Sequence, residues 1–207
     1  MRHLGMVRAF GLAVFILWLL WGLIWLATAL RRKPLVQSLP IAARLTYRVP
    51  IILSIILLAL GRRTHLGTAL ATAGAASSWL YRRFIHLYPG VVLIGAPLVL
   101  LGLGVAVWAR FYLGRNWSGA VTFRQDHELV RAGPYRYSRH PIYTGILIAL
   151  AGSACAIGQW RGIAALVLAS VGLWYKAQLE ERLMIEHFGD QYRQYRRQVK
   201  ALIPYVF

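Results

Sequence analysis

With 207 residues, 58% of them hydrophobic, and 24 Lys+Arg against 6 Asp+Glu, the chain is too apolar for a water-soluble domain of this length. A formal charge of +18 would suit phosphate binding, but the basic residues fall in short clusters between apolar runs (Arg31-Arg32-Lys33, Arg62-Arg63, Arg82-Arg83). There they meet lipid headgroups and fix topology, which argues against nucleic acid.

Phe10 to Leu30 is an uncharged run, long enough to cross a bilayer core as a helix. Ala27-Thr28-Ala29 resembles a cleavage site, yet the long Trp-rich stretch before it and the basic residues after it read as a retained span. Residues 31–48 carry Arg31, Arg32, Lys33, Arg44 and Arg48, and Pro34 and Pro40 prevent one continuous helix. Val49 to Leu60 is intensely apolar but short, and spans only by borrowing residues such as Ile41 to Tyr47. The small residues of 66–80 suit close helix packing and leave two readings, a span or an interfacial segment.

Val91 to Leu113 is a further span, followed by a polar tract from Gly114 to Arg139. Ile142 to Ile157 and Ile163 to Tyr175 then form a helical hairpin around a turn at 158–162. From Lys176 the second arm continues as a polar helix to Phe188, stopped by Gly189. This order predicts an all-α polytopic membrane protein of about five transmembrane helices, with a C-terminal helical hairpin, on whose cytosolic side the family resemblance given below implies a cofactor pocket. Residues 31–48, 114–140 and 181–207 share one face and hold most of the basic residues, so that face is cytosolic by the positive-inside rule. Residues 1–90 read as N-terminal spans with their connections, and 91–207 as the catalytic core.

All six acidic residues lie after residue 125, on that face: Asp126, Glu128, Glu180, Glu181, Glu186 and Asp190. The tract Gly133-Pro134-Tyr135-Arg136-Tyr137-Ser138-Arg139-His140-Pro141-Ile142-Tyr143-Thr144-Gly145 is polar and aromatic and leads into a helix, with Pro141 suited to its first turn. The free N–H groups there favour a carboxylate, such as that of an amino-acid-like ligand. The plainer reading is an interfacial belt of Tyr, Arg and His at headgroup level. Lys176 and Glu180 stand at i and i+4 and can pair; the plainer reading is a solvated helix exit. Because residues 142–175 form a hairpin, His140 and Glu180 emerge near each other. Tyr192, Tyr195 and Tyr205 read as packing and interface anchors. The single Cys155 excludes an intramolecular disulfide or a thiolate metal cluster, and the remaining His, Asp and Glu show no metal-ligand spacing on one helix face, so no metal site is assigned.

The tract Leu129 to Gly145, followed after a hairpin by Glu180-Glu181, Phe188-Gly189, Tyr192, Tyr195, Val199 and Ile203-Pro204, resembles the isoprenylcysteine carboxyl methyltransferase family. The paired pattern covers about the last hundred residues; the chain before about residue 90 shares only its membrane character. The resemblance implies S-adenosylmethionine bound by His127, Leu129, Val130, Tyr135, His140, Pro141, Ile142, Tyr143 and Glu180. It also implies a lipophilic acceptor entering laterally between helices. Arg110, at the end of its span, resembles the family arginine near the acceptor, and Lys176 stands where eukaryotic members carry a substrate-contacting arginine. That is a departure, because lysine lacks the planar fork that grips a carboxylate.

Arg110 and Glu180 are thus the expected catalytic residues, and Arg110 and Lys176 the expected acceptor contacts. The expected reaction is methyl transfer to a prenylcysteine-type or other lipidic carboxylate. The alternatives are a phospholipid amine as acceptor, an NADPH-dependent membrane reductase, and a basic membrane scaffold without enzymatic activity. Glu180-Glu181 and Phe188-Gly189 argue for methyl transfer. Arginine outnumbers lysine, which points to a GC-rich bacterial genome and a cytoplasmic membrane, with lipids and a lipophilic or lipidated substrate as partners.

Overall fold

The computed structural model describes residues 2–29, 35–38, 40–61, 65–85, 89–114, 122–124 and 129–202. The cluster Arg31-Arg32-Lys33, His127 and Ile203-Pro204 lie outside the described residues. Helix α1 covers Arg2–Ala29, α2 Ile41–Ala59, α5 Pro89–Leu113, α6 Pro141–Ile157, α7 Trp160–Phe188 and α8 Asp190–Gln198. Between α2 and α5 lie two short helices, α3 (His65–Thr72) and α4 (Ala75–Leu80). The uncertain 66–80 stretch is therefore broken at Ala73-Gly74, and neither piece has the length to cross a membrane. Strand β1 (Leu35–Ser38) pairs antiparallel with β2 (Thr122–Arg124), a small ribbon added to an otherwise helical chain.

Among the described residues four helices are long and apolar enough to cross a membrane, through Ala9–Thr28, Ile41–Ala59, Ile94–Leu113 and Trp160–Phe188. Helix α2 does take in Ile41 to Tyr47, with Pro50 inside it. The fifth expected span, α6, has 17 residues. At about 1.5 Å per residue it is shorter than a bilayer core. It tolerates this because it is sheathed by protein: Gly145, Ala149, Leu150, Gly152, Ser153 and Ala154 are buried, and lipid thickness constrains it less than α5 and α7 do.

The outward surface is apolar. Leu12, Phe15, Leu19 and Leu26 of α1, Ile52 and Ile55 of α2, Leu100 and Leu101 of α5, and Val167 and Val171 of α7 are all exposed. Water would penalise such a surface, and hydrocarbon does not.

Inside, small residues bring backbones together. A Cβ on Gly102 would land on the backbone of Gly145 and Ala149, and one on Gly152 would meet Gly95 O at 2.6 Å. Gly172 is equally tight against α2, where a Cβ would lie 2.9 Å from Tyr47 O. The indole of Trp18 donates to Ser153 Oγ at 3.0 Å and ties α1 to α6. Gly158, at φ 62°, ends α6 and lets α7 begin two residues later.

The chain order places opposite helix ends at the two poles. At one, Arg161 Nη1 donates to Leu57 O and Leu58 O at 2.7 and 2.9 Å, and the Tyr81 hydroxyl donates to Leu60 O at 2.9 Å. The β1–β2 ribbon, the 129–140 turn and α8 gather at the other pole. That second pole holds the candidate site.

Candidate functional site

His140 is the residue before α6, and Pro141 opens the helix. Main-chain N–H groups of Tyr143 and Thr144 turn back to His140 O at 2.9 and 3.1 Å. The C-terminal segment is laid along this turn: Arg139 N–H donates to Lys200 O at 2.9 Å and His140 N–H to Ala201 O at 3.0 Å. Ser138 Oγ donates to Ala201 O at 2.7 Å, and Thr144 Oγ1 to Leu202 O at 2.5 Å. The Tyr195 hydroxyl on α8 donates to Tyr135 O at 2.5 Å. Burial raises the phenols of Tyr135, Tyr192 and Tyr195, so they stay protonated and serve as packing donors.

Two adjacent carboxylates from α7 meet the turn. Glu181 is 2% exposed and faces Arg139, whose Nη2 lies 2.7 Å and Nε 2.8 Å from Oε1. Arg139 also donates to Val199 O, and Arg196 Nε lies 3.2 Å from Glu181 Oε2. Glu180 is more open, at 24% side-chain exposure. Its Oε1 accepts from the Tyr143 hydroxyl at 2.6 Å and lies 3.9 Å from Lys176 Nζ.

His140 joins the two acids. Its Nε2 is 3.2 Å from Glu181 Oε1 and its Nδ1 is 3.6 Å from Glu180 Oε2, while its ring stacks on Tyr143 with centroids 5.3 Å apart. Desolvation alone would depress this imidazole, but hydrogen bonds to Glu180 and Glu181 outweigh it and hold the pKa above 6.5.

A cavity of about 240 Å³ abuts this box. Trp21 and Trp25 of α1, Tyr47 and Ile51 of α2, and Ile142 and Leu173 of the hairpin form its apolar walls. Tyr143, Arg48 and Lys176 also line it, so Tyr143 and Lys176 belong both to the cavity and to the Glu180 box. The Lys176 ammonium sits 5.8 Å from the Tyr47 ring centre and 5.2 Å from that of Tyr143.

The structure thus gathers Tyr135, His140, Pro141, Ile142, Tyr143, Lys176 and Glu180 at one pole, with Val130 packed against the same apolar cluster. Leu129, half-buried, precedes that turn. Arg110 is 3% exposed and directs Nη1 to Gly114 O at 2.8 Å and Nη2 to Thr28 O at 2.7 Å. It clamps the carbonyl ends of α5 and α1. Sequence reasoning missed Arg139 and Glu181 as a buried ion pair, and missed the part played by Trp21, Trp25 and Arg48. The adjacency of Glu181 to Glu180 was a visible signal, but nothing local says that neighbouring helix positions, about 100° apart, both reach one imidazole.

These features define a class: a polytopic helical membrane protein with a carboxylate-bearing pocket where its C-terminal hairpin leaves the apolar zone. The family model for phospholipid methyltransferases matches residues 91–191. The protein-S-isoprenylcysteine O-methyltransferase of Schizosaccharomyces pombe is 34% identical over 104 residues, covering 47% of this chain and 43% of that protein. Methanethiol S-methyltransferase 1 of Bradyrhizobium diazoefficiens is 37% identical over 71 residues, covering 34% of this chain and 24% of that protein. The solved eukaryotic intramembrane Ras methyltransferase, isoprenylcysteine carboxyl methyltransferase, superposes with a TM-score of 0.51 at 23% identity, covering 77% of this chain and 52% of that one, a likeness of fold. The match to the phospholipid methyltransferase model covers the C-terminal core, residues 91–191, and leaves α1 to α4 outside it. The chain spans about half the length of the isoprenylcysteine methyltransferases it matches.

Proposed function

We propose that the protein is an S-adenosylmethionine-dependent methyltransferase acting on a lipophilic acceptor, a prenylcysteine-type or other lipidic carboxylate. The observation that carries this reading is the Glu180 box opening beside an apolar cavity, with Tyr143 and Lys176 shared between the two.

The residues present fit the cofactor. Glu180 is a partly open carboxylate held by a phenol, an imidazole and an ammonium, suited to an amino group or a sulfonium. In the first turn of α6 the Ile142 N–H is the main-chain donor offered to a carboxylate, since Pro141 has no N–H and that of Tyr143 turns back to His140 O. Leu129, Val130 and Tyr135 supply apolar and aromatic surface, and His127 belongs to the same proposed set. S-adenosylmethionine supplies an electrophilic methyl group; the protein's part is to align it with the acceptor and exclude water. His140, carboxylate-flanked on both ring nitrogens, is a binding and positioning group, since an ionised carboxylate needs no general base. Lys176 faces the acceptor as a cation, and Arg110 ties the end of α5 to α1, the helix whose Trp21 and Trp25 wall the cavity. The site pole is cytosolic, in a bacterial cytoplasmic membrane.

Calorimetric binding of S-adenosylmethionine and S-adenosylhomocysteine to the detergent-purified protein tests the site. Wild type should bind both, and Glu180→Ala and His140→Ala should each weaken binding by about tenfold or more. A folded wild type that binds neither would sink the methyltransferase reading. Unchanged affinity in both variants would move the pocket elsewhere. Transfer of radiolabelled methyl groups to prenylcysteine analogues, against membrane phospholipids, then separates a carboxylate acceptor from an amine.

A further inference from the structure

Arg48 lies on α2, seven positions after Ile41, within a helix long and apolar enough to span a membrane. Its depth along that helix is about 10 Å at 1.5 Å per residue. Arg48 is exposed, with its head free to reach the interface, and it also lines the mouth of the cavity. Among the described residues no carboxylate pairs with it, yet it lines the cavity and lies near enough to Lys176 for the two cations to repel each other. No acid lines the cavity; its titratable lining consists of Arg48, Lys176, Tyr47 and Tyr143. Lys176 is partly compensated by Glu180 at 3.9 Å, so an acceptor arriving as an ammonium would meet chiefly the charge of Arg48 at this end of the cavity. One arriving as an anion would pair with it.

We propose that Arg48 is the specificity-determining residue for the acceptor, forming with Lys176 a two-cation carboxylate site at the polar end of the cavity. This rests on the methyltransferase reading above. The planar fork that Lys176 does not offer is supplied from another helix, α2, outside the 91–191 match to the family. The chemistry agrees with such a site. The carboxylate oxygen's electron pair forms the new C–O bond, the S–C bonding pair returns to sulfur, and no proton moves. Substrate charge is lost in the step: the product is a neutral ester, which the two cations no longer hold, so the same pair that selects the acid favours release of the product.

The test uses the full chain in neutral phosphatidylcholine nanodiscs with N-acetyl-S-farnesylcysteine and its uncharged primary amide as probes. In wild type the acid should bind at least about tenfold more tightly than the amide. Arg48→Gln should raise KM for the acid by about tenfold or more with kcat within about threefold, and should leave S-adenosylmethionine affinity and amide binding unchanged. Arg48→Lys should restore part of the loss. Equal wild-type affinity for acid and amide would overturn the proposal without recourse to any variant. So would an Arg48→Gln enzyme whose KM is unchanged, or one that loses acid and amide alike. A wild type that binds cofactor but methylates phosphatidylethanolamine and not the acid would overturn the carboxylate site and leave the methyltransferase standing; one that binds no cofactor would overturn both.

Discussion

His140 is flanked on each side by an acid: Glu181 at Nε2 and Glu180 at Nδ1. Arg139 and Arg196 approach Glu181 from the turn and from α8. Burial opposes the imidazolium and the carboxylates favour it, with the second effect larger, so the folded pKa lies above the ordinary 6.5. A raised pKa means that the folded state holds the proton more tightly than the unfolded chain. The stabilisation is therefore complete below about 6.5 and is lost as pH rises through the folded value. Thermal unfolding in detergent should show Tm falling as pH climbs above 6.5, and His140→Gln should flatten that slope. Parallel slopes for the two proteins would assign the dependence to another group. Glu180 and His140 were legible in the sequence because their spacing around a hairpin brings them together whatever the details of packing, and Tyr143 was named through the resemblance. Arg139 and Glu181 were not, because a charged residue beside a motif looks solvated until a tail is folded over it.

At the level of elements, the seam between α5 and α6 fixes where the site stands. Gly95 and Gly102 on one helix face Gly145, Ala149 and Gly152 on the other at backbone contact. Since α6 begins at the His140-Pro141 turn, any separation of these helices displaces the cofactor box. Gly102→Leu should cost on the order of 1–3 kcal/mol by overpacking and should lower Tm and S-adenosylmethionine affinity together. Gly104→Ala, at a position where an added Cβ meets nothing within 4 Å, should do neither. If both variants keep wild-type Tm, the seam is looser than its geometry. The small residues were visible in sequence as weakly hydrophobic interruptions of the spans. Their register against each other was not, since 3.6-residue periodicity says which face is small and not what faces it.

Across the whole molecule, the two poles carry different chemistry. One gathers the β1–β2 ribbon, the 129–140 turn and α8; the other joins Arg161, Tyr81 and the short helices α3 and α4. If the site pole is cytosolic, a cysteine placed by Arg197→Cys in a Cys155→Ser background should react with an impermeant maleimide only in inverted vesicles. Arg82→Cys should then react only in right-side-out ones. The opposite labelling pattern would reverse the orientation and place cofactor binding on the wrong side for a cytosolic metabolite. Helices α1 and α2, which precede the 91–191 match, form walls of the cavity through Trp21, Trp25, Tyr47 and Arg48.

By itself the sequence determined that the chain is a helical membrane protein, where its C-terminal hairpin turns, and that His140 and Glu180 lie near one another. Those conclusions follow from local rules: apolar run length, helix-stopping glycine and proline, and the fixed rise of a helix. Only the tertiary structure decided that α6 is a 17-residue helix sheathed by its neighbours, that Arg110 clamps two helix ends, and that α1 and α2 bring aromatic walls and Arg48 to the site. These depend on which faces of distant helices meet, and between apolar helices in lipid that choice is made by close packing of small side chains, which no single segment encodes.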